Sequence, residues 1–213
     1  IGYVFWMLGS LGYLRLNGGG ILVSTVVVTL LALRLGSPIE ALKWLVNHRR
    51  FVFVVEGVFF VCFAVFAYVR ALNPDIVGTE KPMEFAFLNS ILRGGEIPPR
   101  DPWLSGYAIS YYYFGYVIIA VLTKASGALP GIAFNLGVAL MFGLAAAGSF
   151  GVAFNLMALS KGALNPAENR REGGGFTRLT IPALLAPVYT VVTGNLAGLL
   201  EVIHQRGMGA VWF

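Results

Sequence analysis

Five of the ten carboxylates in this 213-residue chain fall between Asn73 and Gly106: Asp75, Glu80, Glu84, Glu96 and Asp101. Two of them stand four residues apart in Gly78-Thr79-Glu80-Lys81-Pro82-Met83-Glu84-Phe85, followed by Asp101-Pro102-Trp103 and Tyr111-Tyr112-Tyr113-Phe114-Gly115. If a helix starts near Pro82, Glu80 lies at its entrance and Glu84 one turn in, so both face one way. A carboxylate in that position can take a proton from a hydroxyl, which makes Glu80 and Glu84 the candidate catalytic pair. Lys81, Arg93 and Arg100 suit a phosphate leaving group, while Asp101, Tyr111, Tyr112 and Tyr113 can bind or stack on a sugar. Each piece also has an ordinary structural use. Acids near a helix start answer its dipole, and tyrosines at a span's edge form an interfacial belt. Three consecutive tyrosines on a helix, about 100° apart, cannot all face lipid, so at least one turns to protein or a cavity.

The elements that must position these residues are apolar helices. Hydrophobic residues make up 57% of the chain and charged residues 12%, a balance that fits a lipid solvent rather than a water-covered domain. A bilayer crossing takes roughly 20 apolar residues, so five or six crossings are expected in an all-α, polytopic bundle. Ile1 to Leu14 reads as a cut span and Ile21 to Leu33 as a second, separated by the breaker cluster Gly18 to Gly20. Arg34 to Arg50 mixes four cations with an apolar share and reads as an interfacial helix on the cytoplasmic side. Phe51 to Leu72 is the clearest span, with Glu56 in its first two turns. Tyr107 to Thr123, a single tilted helix over Gly131 to Ser160, and Leu179 to Leu200 complete the set.

Between Phe51–Leu72 and Tyr107–Thr123, the loop 73–106 faces outward by the charge rule. Inside it, Pro82 to Arg93 forms a short amphipathic helix with Phe85, Leu88 and Leu92 on one face, stopped by Gly94-Gly95. Trp103 belongs at the membrane interface. For the connection from Lys161 to Arg178, its charge argues for the inside and the count of spans for the outside. The apolar start at Ile1 and apolar end at Val211-Trp212-Phe213 read as cuts in a longer polypeptide with one transmembrane domain over 1–213.

Several functions are set aside. The net charge of +5 is spread over short connections, the pattern of membrane orientation and not of nucleic-acid binding. Cys62 is the one cysteine and is read as packing. His48 and His204 lack a metal or haem motif, so no cofactor is expected, and Glu80 with Glu84 is the one place offering oxygen donors to a divalent metal. A transporter would call for paired acids within spans and matched broken helices; Glu56 and Glu201 are the only candidates, so that reading ranks last.

The run GTEKPMEFAFLNSILRGGEIPPRDPWLSGYAISYYYFGY, residues 78 to 116, resembles the signature of the YYY family of uncharacterised prokaryotic multi-spanning membrane proteins. Arg70 to Asp75, the span around Asn135 and Thr193-Gly194-Asn195 are similar to it as well, so the likeness runs from about Phe51 onward. Glu84 stands where the family's EKPMD motif has aspartate. That family in turn resembles the GT-C glycosyltransferases, membrane enzymes that take a sugar from a polyprenyl-phosphate carrier. The resemblance implies a plasma-membrane, multi-pass protein whose extracytoplasmic loop 73–106 bears the acidic motif. Its partners would be the bilayer and a polyprenyl-phosphate-linked sugar. The alternative is a non-catalytic integral subunit packing against other membrane proteins, for which Gly137, Gly143, Gly148 and Gly151 would allow close helix approach.

Overall fold

A computed structural model describes residues 1–104, 106–160 and 175–193. Over these residues the protein is an all-α membrane protein without strands, its sole β feature being an isolated antiparallel bridge between Arg100 and Ala108. The helices are α1 (Gly2–Ser10), α2 (Gly18–Leu35), α3 (Pro38–Asn47), α4 (Arg49–Leu72), α5 (Lys81–Gly94), α6 (Phe114–Ser126), α7 (Pro130–Ser160) and α8 (Gly175–Ala183). A short turn Leu185–Pro187 and a π-helical turn Val188–Val192 follow α8. Of the expected span Leu179 to Leu200, residues 194–200 lie outside the described residues, as does the connection 161–174. Among the described residues, three helices are long and apolar enough to cross a bilayer, namely α2, α4 and α7; α6 is shorter. No residue of α4 is buried against protein, and Phe53, Val61 and Tyr68 are more than 60% exposed, the surface expected of a lipid-facing helix.

Two expectations change. The triple glycine Gly18 to Gly20, read as a breaker, instead opens α2. Asn17 caps the helix by accepting the Gly20 N–H at 2.8 Å, and a Cβ at Gly20 would lie 2.2 Å from the Arg15 carbonyl oxygen. The absent side chain is what lets the chain turn so tightly into the helix. The second change concerns the tyrosines. Helix α6 begins only at Phe114, because residues 107–109 are held away by the Ile109 N–H on the Pro99 carbonyl and by the Tyr107 carbonyl accepting from the Asp101 N–H, both at 2.9 Å. Backbone groups paired across that bridge cannot also serve a helix.

The chain falls into two compact units, Ile1–His48 with Val69–Val138, and Arg49–Tyr68 with Ala139–Phe213. In the first, α1, α5 and α6 close around Phe5, Leu16, Leu88, Ile91, Ile97, Val117, Val121 and Phe134. Leu88 and Ile91 come from the apolar face of α5, which also carries Phe87 and is broader than the triplet of Phe85, Leu88 and Leu92 suggests. In the second unit, α4 and α7 meet through aromatic pairs, Phe66 with Phe142 at 4.5 Å and Phe51 with Phe154 at 4.9 Å. Gly143 brings α7 close to Phe59, where a Cβ would lie 3.1 Å from the ring. Helix α7 runs unbroken through Gly148 and Gly151, as the single long element expected over Gly131 to Ser160.

Candidate functional site

Helix α5 is built to hold its first turn rigidly. Gly78 and Thr79 take positive φ angles of 83° and 35°, turning the chain sharply before Lys81, and Pro82 fixes the opening φ. Gly95, left-handed at φ 66°, ends the helix by donating its N–H to Ile91 at 3.0 Å. Glu80 occupies the N-cap position but its side chain makes no cap bond, so its carboxylate is not consumed by the helix it introduces. Glu84 is half-buried in the first turn, and its Oε1 accepts the Tyr116 hydroxyl at 3.1 Å from α6. Tyr111 belongs to the same group. The Glu80 carboxylate holds its phenol above the usual pKa, chiefly by charge, with desolvation and then the Glu84 charge adding to the effect.

The aromatic setting comes from Phe87, one turn along α5. Its ring lies 5.7 Å from Tyr111, 5.8 Å from Trp103 and 6.0 Å from Tyr116. The three consecutive tyrosines therefore divide the work. Tyr111 stands beside the carboxylates, Tyr112 is 87% exposed, and Tyr113 packs on the core with its hydroxyl accepting from Trp6 Nε1 at 3.4 Å.

The cations lie elsewhere around the helix. Lys81 is exposed near the acids. Arg93 projects about 180° from Glu84 on a regular helix, and with Arg100 it lines a separate cleft. That cleft holds about 800 Å³ and is walled by Phe85, Ala86, Pro102 and Pro130. Arg100 also pairs with Glu96 at 3.4 Å, which meets Arg15 at the same distance from its other oxygen. Asp101 is engaged within its own loop: Oδ1 accepts the Trp103 and Leu104 N–H groups at 2.8 and 2.9 Å. That turn carries Trp103 and Leu104 outward, 63% and 59% exposed. Among the described residues no three His, Cys, Asp or Glu side chains gather to hold a metal ion.

The sequence matches, over residues 1–212, a family described as an uncharacterized membrane protein family, DUF2298. The chain belongs to this family. No curated protein and no solved structure matches it. The DUF2298 match begins at residue 1, so α1 and α2, which carry none of the acidic and tyrosine motifs, are part of the family's common stretch.

Residues to which the sequence reading gave no role hold this arrangement in place. Tyr116 is one, four positions beyond Tyr112 and hidden in an apolar run. The other is a polar knot at the base of the loop. Arg70 near the end of α4 donates from Nε and Nη2 to Asn135 Oδ1 on α7 at 2.8 and 2.5 Å, and from Nη2 to the Asp75 carbonyl at 3.0 Å. Asn135 Nδ2 returns a bond to the Pro74 carbonyl at 3.0 Å. An arginine one turn before Asn73-Pro74 and an asparagine near the start of a long apolar run were the available signals, and no spacing joins them.

Proposed function

We propose that this protein is a membrane glycosyltransferase of GT-C type, working at the outer face of the plasma membrane on a polyprenyl-phosphate sugar. The observation that carries the reading is the joint placement of Glu80 and Glu84 against Tyr111 and Tyr116 on a loop bordering the apolar helices. Each carboxylate has a phenol beside it, Tyr116 at Glu84 and Tyr111 at Glu80; Glu80 is the better base of the two because it is exposed and makes no cap bond, while Glu84 is half-buried. Glu80 takes the proton of the acceptor hydroxyl, the oxygen attacks the anomeric carbon, and the bond from that carbon to the phosphate breaks. The polyprenyl phosphate leaves with the electron pair, and Lys81 meets the developing charge. Tyr111, Tyr112 and Trp103 offer faces for sugar rings.

A second reading, a non-catalytic subunit of a larger membrane assembly, draws on the side chains already committed: Asp101 to its turn and Arg100 to Glu96. The two readings part in one experiment. Full-length protein in proteoliposomes is offered a panel of polyprenyl-phosphate sugars with candidate acceptors. Sugar transfer accompanied by release of the lipid phosphate supports the enzyme. Failure of every donor, together with co-purification of a fixed set of membrane proteins, favours the subunit.

A further inference from the structure

We propose that α3 lies flat in the headgroup layer of the leaflet opposite the carboxylate loop, held there by anionic phospholipids. This inference is independent of any enzymatic activity. The starting point is where the helices begin and end. Leu16, next to the cap of α2, donates its N–H to the Gly95 carbonyl at 2.7 Å, so α2 starts beside the end of α5. Its 18 residues then carry the chain about 27 Å away. Helix α4 brings it back over 24 residues, about 36 Å, to Arg70 and the knot with Asn135 at the base of the loop. Both lengths approach or exceed the roughly 30 Å of a hydrocarbon core, and both helices have the composition to cross it. The connection between them, α3, is therefore at the far side.

Helix α3 is shaped for a surface. Ser37 caps it, its side chain accepting the Glu40 N–H, and Pro38 opens it, so it is a defined helix and not an extension of its neighbours. None of its residues is buried. By helical angle, Ile39, Leu42, Leu45 and Val46 share one sector, Lys43 stands at its border, and Glu40, Trp44 and Asn47 face the other way. Trp44 lies on the side away from the aliphatic sector, stacked on His48 with centroids 4.5 Å apart. Those four aliphatic residues are 46% to 68% exposed with no described residue covering them. Charge selects the occupant. Arg34, Lys43, Arg49 and Arg50 surround the helix against the single acid Glu40, which matches an anionic lipid surface and not a neutral one.

The test uses full-length protein in a Cys62→Ala background, with single cysteines placed by Leu42→Cys, Asn47→Cys and Thr79→Cys. A fluorophore at position 42 is expected to be quenched by nitroxide-bearing lipid several-fold more than one at position 47. The contrast should be larger in vesicles containing phosphatidylglycerol than in phosphatidylcholine alone, and reversal of Lys43, Arg49 and Arg50 to Glu should remove that lipid dependence. In intact cells a membrane-impermeant maleimide should label position 79 and leave position 47 unlabelled until the membrane is opened. Equal quenching at 42 and 47, no dependence on anionic lipid, or labelling of 47 and 79 from the same side would each overturn the proposal.

Discussion

Tyr116 of α6 donates its hydroxyl to the Glu84 carboxylate of α5 at 3.1 Å, joining two helices across 32 residues of chain. The bond gives Glu84 a fixed direction, while Glu80, one turn earlier, is exposed beside Tyr111 and makes no cap bond. Tyr116→Phe should remove a hydrogen bond to a charged group, worth about 1.5–3 kcal/mol when well made. The expected result is a lower thermal midpoint in detergent and a fall in transfer smaller than that of Glu84→Gln, with donor affinity unchanged.

Tyr111 should show the Glu80 charge in its own titration. Its phenol is held above the ordinary value near 10, first by that carboxylate, so it stays protonated throughout the neutral range. Tyr111 lowers stability as the pH rises from the ordinary phenol value to the raised one; below the ordinary phenol range the group contributes no pH dependence. The phenolate difference spectrum between wild type and Tyr111→Phe measures this. Glu80→Gln should move the Tyr111 transition down toward the ordinary phenol value, and an unmoved transition would mean that the two groups are not coupled.

The knot of Arg70 and Asn135 should behave as a unit. Asn135→Ala strips the Arg70 guanidinium of an acceptor bonded at 2.5 and 2.8 Å, and Arg70→Ala frees the same oxygen. Each change should cost about 1–3 kcal/mol, while the double variant should cost clearly less than their sum. Thermal denaturation of the four proteins in one detergent provides the cycle.

Gly20→Ala tests the entry to α2. A Cβ there would meet the Arg15 carbonyl oxygen at 2.2 Å and the Phe5 ring at 3.3 Å, and the obstructing atom at the shorter distance is backbone. The expected outcome is a loss of folded protein larger than for Gly18→Ala, where nothing stands within 4 Å. Yields of monodisperse protein after extraction give the comparison.

Much of this fold can be read from residue order, and the exceptions have physical causes. Runs of twenty or more apolar residues mark α4 and α7, because no soluble element needs them. Helix α5 announces itself through Pro82 and the Gly94-Gly95 stop. The tyrosine stretch misleads, since its apolar and aromatic composition suits a span, whereas pairing of Ile109 and Tyr107 with the backbone at Pro99 and Asp101 takes it out of the helix. Glycines 18 to 20 mislead in the other direction, because a cap at Asn17 and close contact with Arg15 are tertiary facts. Within the candidate site, the proximity of Glu80 and Glu84 follows from their spacing on one helix. That Arg93 opens onto a different face also follows from spacing, although a list of nearby cations conceals it. Tyr116 closes the quoted signature and Asn135 lies in a span that resembles the family, but their bonds to Glu84 and Arg70 depend on which helices pack together.

The initial rate of sugar transfer by full-length protein carrying Glu80→Gln, set against wild type in proteoliposomes with a polyprenyl-phosphate donor that the wild type accepts, tests the assigned base most directly. General-base catalysis contributes about 10²–10⁴-fold, so the rate should fall by that factor while donor binding is retained. An undiminished rate in that variant would contradict the account.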